Sequence, residues 1–190
     1  MCVINKHNQI ANKMNEGSLD EAQLRQKAEG IKLLLTDVDG VLTDNGVYYS
    51  GEGEIMKRFS IRDGMGVERL RNKAGIVTGI ITGETSPSVL RRAEKLGIQE
   101  LHLGVKDKLG RLMEILERHE LQWSDIAYIG DDVNDLEVIR KAGLSACPLD
   151  GMAAVQREVH YICVNKGGDG AFREFAELLI SLKGLPHSKP

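Results

Sequence analysis

Two carboxylates stand two residues apart at the end of an apolar run, Ile31-Lys32-Leu33-Leu34-Leu35-Thr36-Asp37-Val38-Asp39-Gly40-Val41. A short apolar segment running into a glycine turn has the pattern of a buried parallel strand, and ligands of parallel sheets gather beyond the strands' carboxyl ends. Side chains alternate along an extended chain, so Asp37 and Asp39 face one ligand. Two carboxylates this close repel. Both stay ionised only beside a cation, or one keeps a proton and serves as an acid. Taken alone, Asp-x-Asp-Gly is also an ordinary solvated turn, since Asp and Gly are common loop formers.

Three later strand ends carry polar groups that complete a chemistry. Ile80-Ile81-Thr82-Gly83 ends in a hydroxyl, Lys108 opens a helix, and Ile129-Gly130-Asp131-Asp132-Val133-Asn134-Asp135 ends in clustered carboxylates. Together they specify phosphoryl transfer. In this reading Asp37 is the nucleophile and forms an aspartyl phosphate, while Asp39 protonates the leaving oxygen and later takes a proton from water. Thr82, Gly83 and Lys108 hold the phosphoryl oxygens. Mg2+ on Asp37, Asp131 and the main-chain carbonyl of Asp39 offsets the repulsion between nucleophile and phosphate. Each later residue has a bland alternative: Thr82 as a strand-end cap, Lys108 as a solvated helix residue, Asp135 as an N-cap. Those alternatives do not explain why the residues occur together and in this order.

The elements that must position these groups alternate along the chain. Ser18 and Glu21 form a capping-box signature for a short helix before the first strand, and residues 47–60 read as a β-hairpin turning at Gly51-Glu52-Gly53-Glu54. The pattern then predicts a helix near Gly66–Lys73, strand 76–81, helix 87–96, strand 101–103, helix 108–118 and strand 126–129. A helix over 135–142, strand 144–147, short helix 153–157, strand 161–164 and closing helix 171–182 follow. Such alternation predicts an α/β fold, a doubly wound parallel sheet with a hairpin insertion and no separate cap domain. One domain is expected over 18–182, with a loosely held tail at 1–17 and another at 183–190.

Composition narrows the partners. With 190 residues and a net charge of -3, the chain has no basic cluster for nucleic acid or an anionic membrane. Cys2, Cys147 and Cys163 are odd in number and show no metal or redox spacing, and no apolar run approaches a membrane span. The expectation is a small-molecule ligand in a reducing, cytoplasmic setting. His102, His119 and His160 are scattered and form no metal triad, and Trp123 is read as a packing residue.

Asp37-Val38-Asp39-Gly40, Thr82, Lys108 and Gly130-Asp131-Asp132-x-x-Asp135 resemble, in order, the four motifs of the haloacid dehalogenase-like phosphatases. A narrower resemblance covers about residues 31–177. The hairpin with Phe59-Ser60-Ile61-Arg62-Asp63-Gly64-Met65-Gly66, and the late run Lys166-Gly167-Gly168-Asp169-Gly170-Ala171-Phe172-Arg173-Glu174, are similar to the 3-deoxy-D-manno-octulosonate 8-phosphate (KDO 8-phosphate) phosphatase family. This resemblance implies a homotetramer in which hairpins pack together and a neighbouring subunit covers the open site; on the hairpin itself, Tyr48, Tyr49 and Phe59 are candidates for a subunit contact or for packing on the sheet. It also implies a 2-keto-3-deoxy sugar acid substrate whose carboxylate meets cations, with Arg62, Arg92, Lys95 and Lys166 as candidates. Glu84, where many octulosonate phosphatases carry arginine, together with Arg92 and Lys95 looks more like the relatives acting on KDN 9-phosphate or N-acetylneuraminate 9-phosphate. Two further alternatives are a non-catalytic assembly domain and a phosphotransferase or mutase.

Overall fold

The structure, a computed structural model, describes residues 19–184. In chain order its elements are α1 (Glu21–Glu29), β1 (Leu33–Thr36), β2 (Thr43–Ser50), β3 (Gly53–Phe59), α2 (Ile61–Ala74), β4 (Val77–Ile81), α3 (Pro87–Leu96) and β5 (Glu100–His102). After these come α4 (Lys108–Arg118), β6 (Ile126–Ile129), α5 (Leu136–Lys141), β7 (Leu144–Cys147), α6 (Ala153–Gln156), β8 (Tyr161–Ile162) and α7 (Ala171–Gly184). The expected N-terminal tail, Cys2, Ser18 and residues 185–190 lie outside the described residues. The cap of α1 is Asp20, which accepts from Gln23 N at 2.8 Å, rather than Ser18 paired with Glu21.

Six strands pair in parallel in the order β5-β4-β1-β6-β7-β8. The chain winds outward from β1 through β4 to β5 and then returns to β6 on β1's other side. This is the doubly wound architecture anticipated from the alternation, with its switch point at the end of β1. The period of two along β1 divides the core: Leu34 faces a cluster with Val67 and Leu70 of α2, Val89 of α3 and Phe172 and Phe175 of α7. Leu33 and Leu35 face Leu112 and Ile115 of α4 and Val138 and Ile139 of α5. Both faces of β1 are therefore buried, which is why it reads as an unbroken apolar run. Trp123 packs against the second cluster, with the Lys141 ammonium 5.5 Å over its ring.

β2 and β3 form a separate antiparallel hairpin leaving the carboxyl end of β1. It starts at Thr43, four residues before the expected position, because Asp44-Asn45-Gly46, which looks like a loop, is an irregularity within β2 with Asn45 at φ 62°. Helix α2 begins at Ile61 rather than near Gly66. Gly64 and Gly66 argue against a helix by propensity, yet a side chain at Gly64 would meet the Arg92 guanidinium and one at Gly66 would press on Phe172. Close packing and the Ser60 N-cap override propensity. Buried Asp63 ties this segment to the glycine-rich late run by accepting from Gly170 N at 3.2 Å and Arg173 N at 2.8 Å, and burial pushes its carboxyl above the ordinary range.

Candidate active site

Asp37 extends β1 past the sheet, its N–H donating to Ile129 O at 3.0 Å. The chain then closes tightly: the amides of Val41, Leu42 and Thr43 all donate to Val38 O, and Gly40 takes φ 77°. A side chain at Gly40 would be strained there and would also lie 1.9 Å from Asp131 Oδ2, so this glycine lets the loops after β1 and β6 approach. The late run seals the same turn from outside: Gly168 N donates to Val41 O at 2.9 Å, and a Cβ on Gly167 would lie 1.9 Å from Gly40 O.

Within this frame the charged groups interlock. Lys108, 3% exposed, donates to Asp37 Oδ2 and Asp135 Oδ1, each at 2.7 Å. Asp37 Oδ1 accepts from Val38 N at 2.7 Å. Asp135 stands at the N-cap position of α5, but its side chain makes no cap bond to that helix. Instead Oδ1 also accepts from Tyr128 Oη at 2.5 Å, and Oδ2 accepts from the amides of Asp131 and Asp132 at 3.1 and 3.4 Å. Asp135 thus aims both Lys108 and the Asp131 loop at the end of β1.

Burial and mutual repulsion raise the carboxylates of this junction. Burial, then the charge of Asp135, pushes Asp37 up to about 6 despite Lys108. Burial, then the charge of Asp37, pushes Asp131 up to about 7. Lys108 is driven up: burial opposes its charge, but Asp37 and Asp135 outweigh burial. Carboxylate oxygens of Asp37, Asp131 and Asp135 lie within 4.8 Å of one another, the only group spaced for a metal among the described residues. Hard oxygen donors held close against their own repulsion suit a divalent cation such as Mg2+. Asp135 is fully buried with two hydrogen bonds on each oxygen and does not line the open cleft, whereas Asp37 and Asp131 do, so these two are the carboxylates placed to bind one.

A cleft of about 180 Å3 opens above these groups, lined on one side by Asp37, Asp39 and Asp131 and on the other by Thr82, Gly83 and Glu84. The Thr82 hydroxyl, 1% exposed, accepts from Glu84 N at 3.3 Å. Asp39 faces the cleft with both oxygens bonded to Lys57. The candidate sugar-acid cations lie elsewhere in this chain. Arg92 donates to Ser60 O at 2.8 Å and stacks over Phe59, bracing the hairpin's foot, while Arg62, Lys95 and Lys166 stand exposed outside the cleft. The suggested Glu84–Arg92–Lys95 grouping does not assemble, although Glu84 itself lines the cleft.

Sequence reasoning passed over Asn45, Lys57 and Tyr128. Asn45 Nδ2 donates to Asp131 Oδ2 at 3.3 Å, and its place depends on the irregularity in β2 that the turn-like composition concealed. Tyr128 lay in plain view as a lone polar atom inside an apolar strand, an atom that needs a buried partner. The histidines are engaged structurally: His102 and His119 both contact Glu100, and His160 pairs with Ser145.

No known family model matches the chain. The 3-deoxy-D-manno-octulosonate 8-phosphate phosphatase of Haemophilus influenzae is 36% identical over 161 residues, covering 85% of this chain and 89% of that protein. Its Escherichia coli counterpart is 38% identical over 163 residues, 86% of each chain. Among solved structures, the Moraxella catarrhalis enzyme of the same name, in complex with magnesium, phosphate and KDO, superposes with a TM-score of 0.81. It is 40% identical and covers 85% of this chain and 92% of that one.

Proposed function

We propose that this chain, which belongs to the KDO 8-phosphate phosphatase family of the haloacid dehalogenase superfamily, hydrolyses KDO 8-phosphate to KDO and phosphate with Mg2+. The chain is a phosphomonoesterase; the sugar and the chemical route are the proposal. The observation that carries it is the buried junction of Asp37, Lys108, Asp131 and Asp135 at the switch point of the sheet.

Asp37 forms a bond to phosphorus as the bond between phosphorus and the sugar oxygen breaks, giving an aspartyl phosphate, and Asp39 delivers a proton to the departing alkoxide. Water then attacks phosphorus, Asp39 takes its proton, and inorganic phosphate leaves with the Asp37 carboxylate restored. Lys108, fixed by Asp135 beside Asp37 Oδ2, places positive charge where the phosphoryl group arrives, and Thr82 presents a hydroxyl across the cleft. Bound through Asp37 and Asp131, Mg2+ supplies the charge that lets the nucleophile and substrate dianion meet. Glu84 is placed to accept bonds from sugar hydroxyls. The relatives' names carry the eight-carbon sugar acid and lend the nine-carbon reading no support.

The proposal extends to a homotetramer in the cytoplasm. Tyr48, Tyr49, Ile55, Met56 and Ile61 expose apolar surface on and beside the hairpin, and the free cysteines Cys147 and Cys163 are buried and suit a reducing compartment. No helix among the described residues is long and apolar enough to cross a membrane. The test is phosphate release from KDO 8-phosphate and the two nine-carbon 9-phosphates in parallel, with Asp37→Asn as blank and light scattering for the assembly. Preference for KDO 8-phosphate is expected; preference for a nine-carbon substrate would overturn the sugar assignment.

A further inference from the structure

Lys57 lies on β3 with its side chain 1% exposed, an unusual setting for an ammonium on a hairpin. It donates to both oxygens of Asp39, at 2.7 and 2.6 Å, and sits 3.9 Å from Glu54 Oε2. Taking an ammonium out of water is costly even when it is paired, and an apolar side chain of similar length would fill the same space without that penalty. Fold stability therefore gives no reason for a lysine here. Asp39 is only partly buried, so it does not need a buried cation to be tolerated either.

We infer that Lys57 is a positioning residue for Asp39, and that the stem of the hairpin is part of the catalytic apparatus. The inference rests on the reading of Asp39 as proton donor. A carboxylate side chain turns about two bonds, and contact at both oxygens fixes both turns; the Thr43 hydroxyl adds a third contact at 3.3 Å. The cation is itself held, because Glu54 beside it accepts from the hydroxyl of Ser86, the N-cap of α3. The contacts run from Asp39 through Lys57 and Glu54 to Ser86, at the end of the loop that carries Thr82, Gly83 and Glu84. The proton donor is thus registered against the loop that faces the phosphoryl and sugar groups. A misplacement of about 1 Å at a reacting group costs on the order of 100-fold, so such registration has a measurable effect.

The experiment compares Lys57→Met, Lys57→Gln and Asp39→Asn with Mg2+ on two substrates, following release of the leaving group in the first turnover, because the later water step, in which Asp39 is the base, is common to both. KDO 8-phosphate loses an alkoxide that needs a proton, whereas 4-nitrophenyl phosphate loses a nitrophenolate that does not. Lys57→Met is expected to lower that first-turnover rate on the sugar phosphate about 30-fold, within the range of a general-acid contribution, with KM within about twofold and the aryl substrate slowed by less than about threefold. Lys57→Gln, which keeps an N–H donor, carries the same comparison if methionine disrupts the hairpin. Equal loss on both substrates, or loss on neither, overturns the inference. Asp39→Asn separates the two possible failures. If it also slows both substrates equally, the proton-donor reading has failed; if it is selective and the Lys57 variants are not, the positioning role alone has failed.

Discussion

On the floor of the cleft, Asp37, Lys108 and Asp135 are 5, 3 and 0% exposed and bonded to one another, whereas at the rim Arg62, Lys95 and Lys166 stand in solvent away from the cleft. The floor is set by strand ends and needs only this chain. The rim contributes Glu84, and none of Arg62, Arg92, Lys95 and Lys166 lines the cleft. The contrast places the phosphoryl chemistry on the sheet of a single chain and makes the proposed assembly, with a neighbour at the open site, the part of the reading that sugar recognition would test.

The largest expected effect strikes the floor. Asp37→Asn should lower kcat by about 10^4-fold or more, as removal of a nucleophile does elsewhere. It should leave the fold intact, because it removes a carboxylate that burial and Asp135 already penalise. Steady-state phosphate release and a thermal melt check both halves; substantial turnover would remove Asp37 as nucleophile.

Next is Lys108→Met, which strands two buried carboxylates. The cost expected for breaking such a pair is about 3–5 kcal/mol, read as a lowered urea midpoint, together with loss of turnover. A stable, active Lys108→Met protein would show that the floor does not depend on this junction. An exposed rim cation offers the control: Lys95→Ala should move the midpoint hardly at all, since exposed charges contribute about 1 kcal/mol or less.

The same division explains what was legible beforehand. Floor residues sit at the ends of apolar strands, and β1 and β6 show themselves because both faces are buried; Asp37, Thr82, Lys108 and Asp131 could be found that way. Asp135 stood in the motif but looked like a cap, because nothing local shows that its oxygens reach Tyr128 and Lys108. Lys57 and Asn45 depend on hairpin register and an irregular β2, which composition does not determine. The start of α2 was hidden because Gly64 and Gly66 serve contacts with α3 and α7 rather than helix propensity.

Removing metal tests the floor more gently. Asp37 and Asp131 are raised to about 6 and about 7 in the folded chain from the ordinary aspartate value of about 3.9. Between that value and about pH 7 the native state then binds more protons than the unfolded state. Stability of the chelated protein should therefore fall as pH rises through this window. Added Mg2+ should raise Tm by roughly 5 °C or more near pH 7.5 at saturation, and by less near pH 5, where protons compete for the same oxygens. Equal Mg2+ shifts at both pH values would mean that the cation does not sit on these carboxylates.

The smallest effect divides the rim itself. Glu84 lines the cleft and Lys95 does not, so Glu84→Gln should change KM for KDO 8-phosphate several-fold while Lys95→Ala changes it by less than about twofold. Both should leave kcat on 4-nitrophenyl phosphate near that of the unaltered protein, because neither touches the phosphoryl group. The informative exception is a large KM effect from Lys95→Ala. Within one chain Lys95 does not line the cleft, so such a result would place it over a neighbour's site and give the covering subunit a specific contribution to sugar recognition.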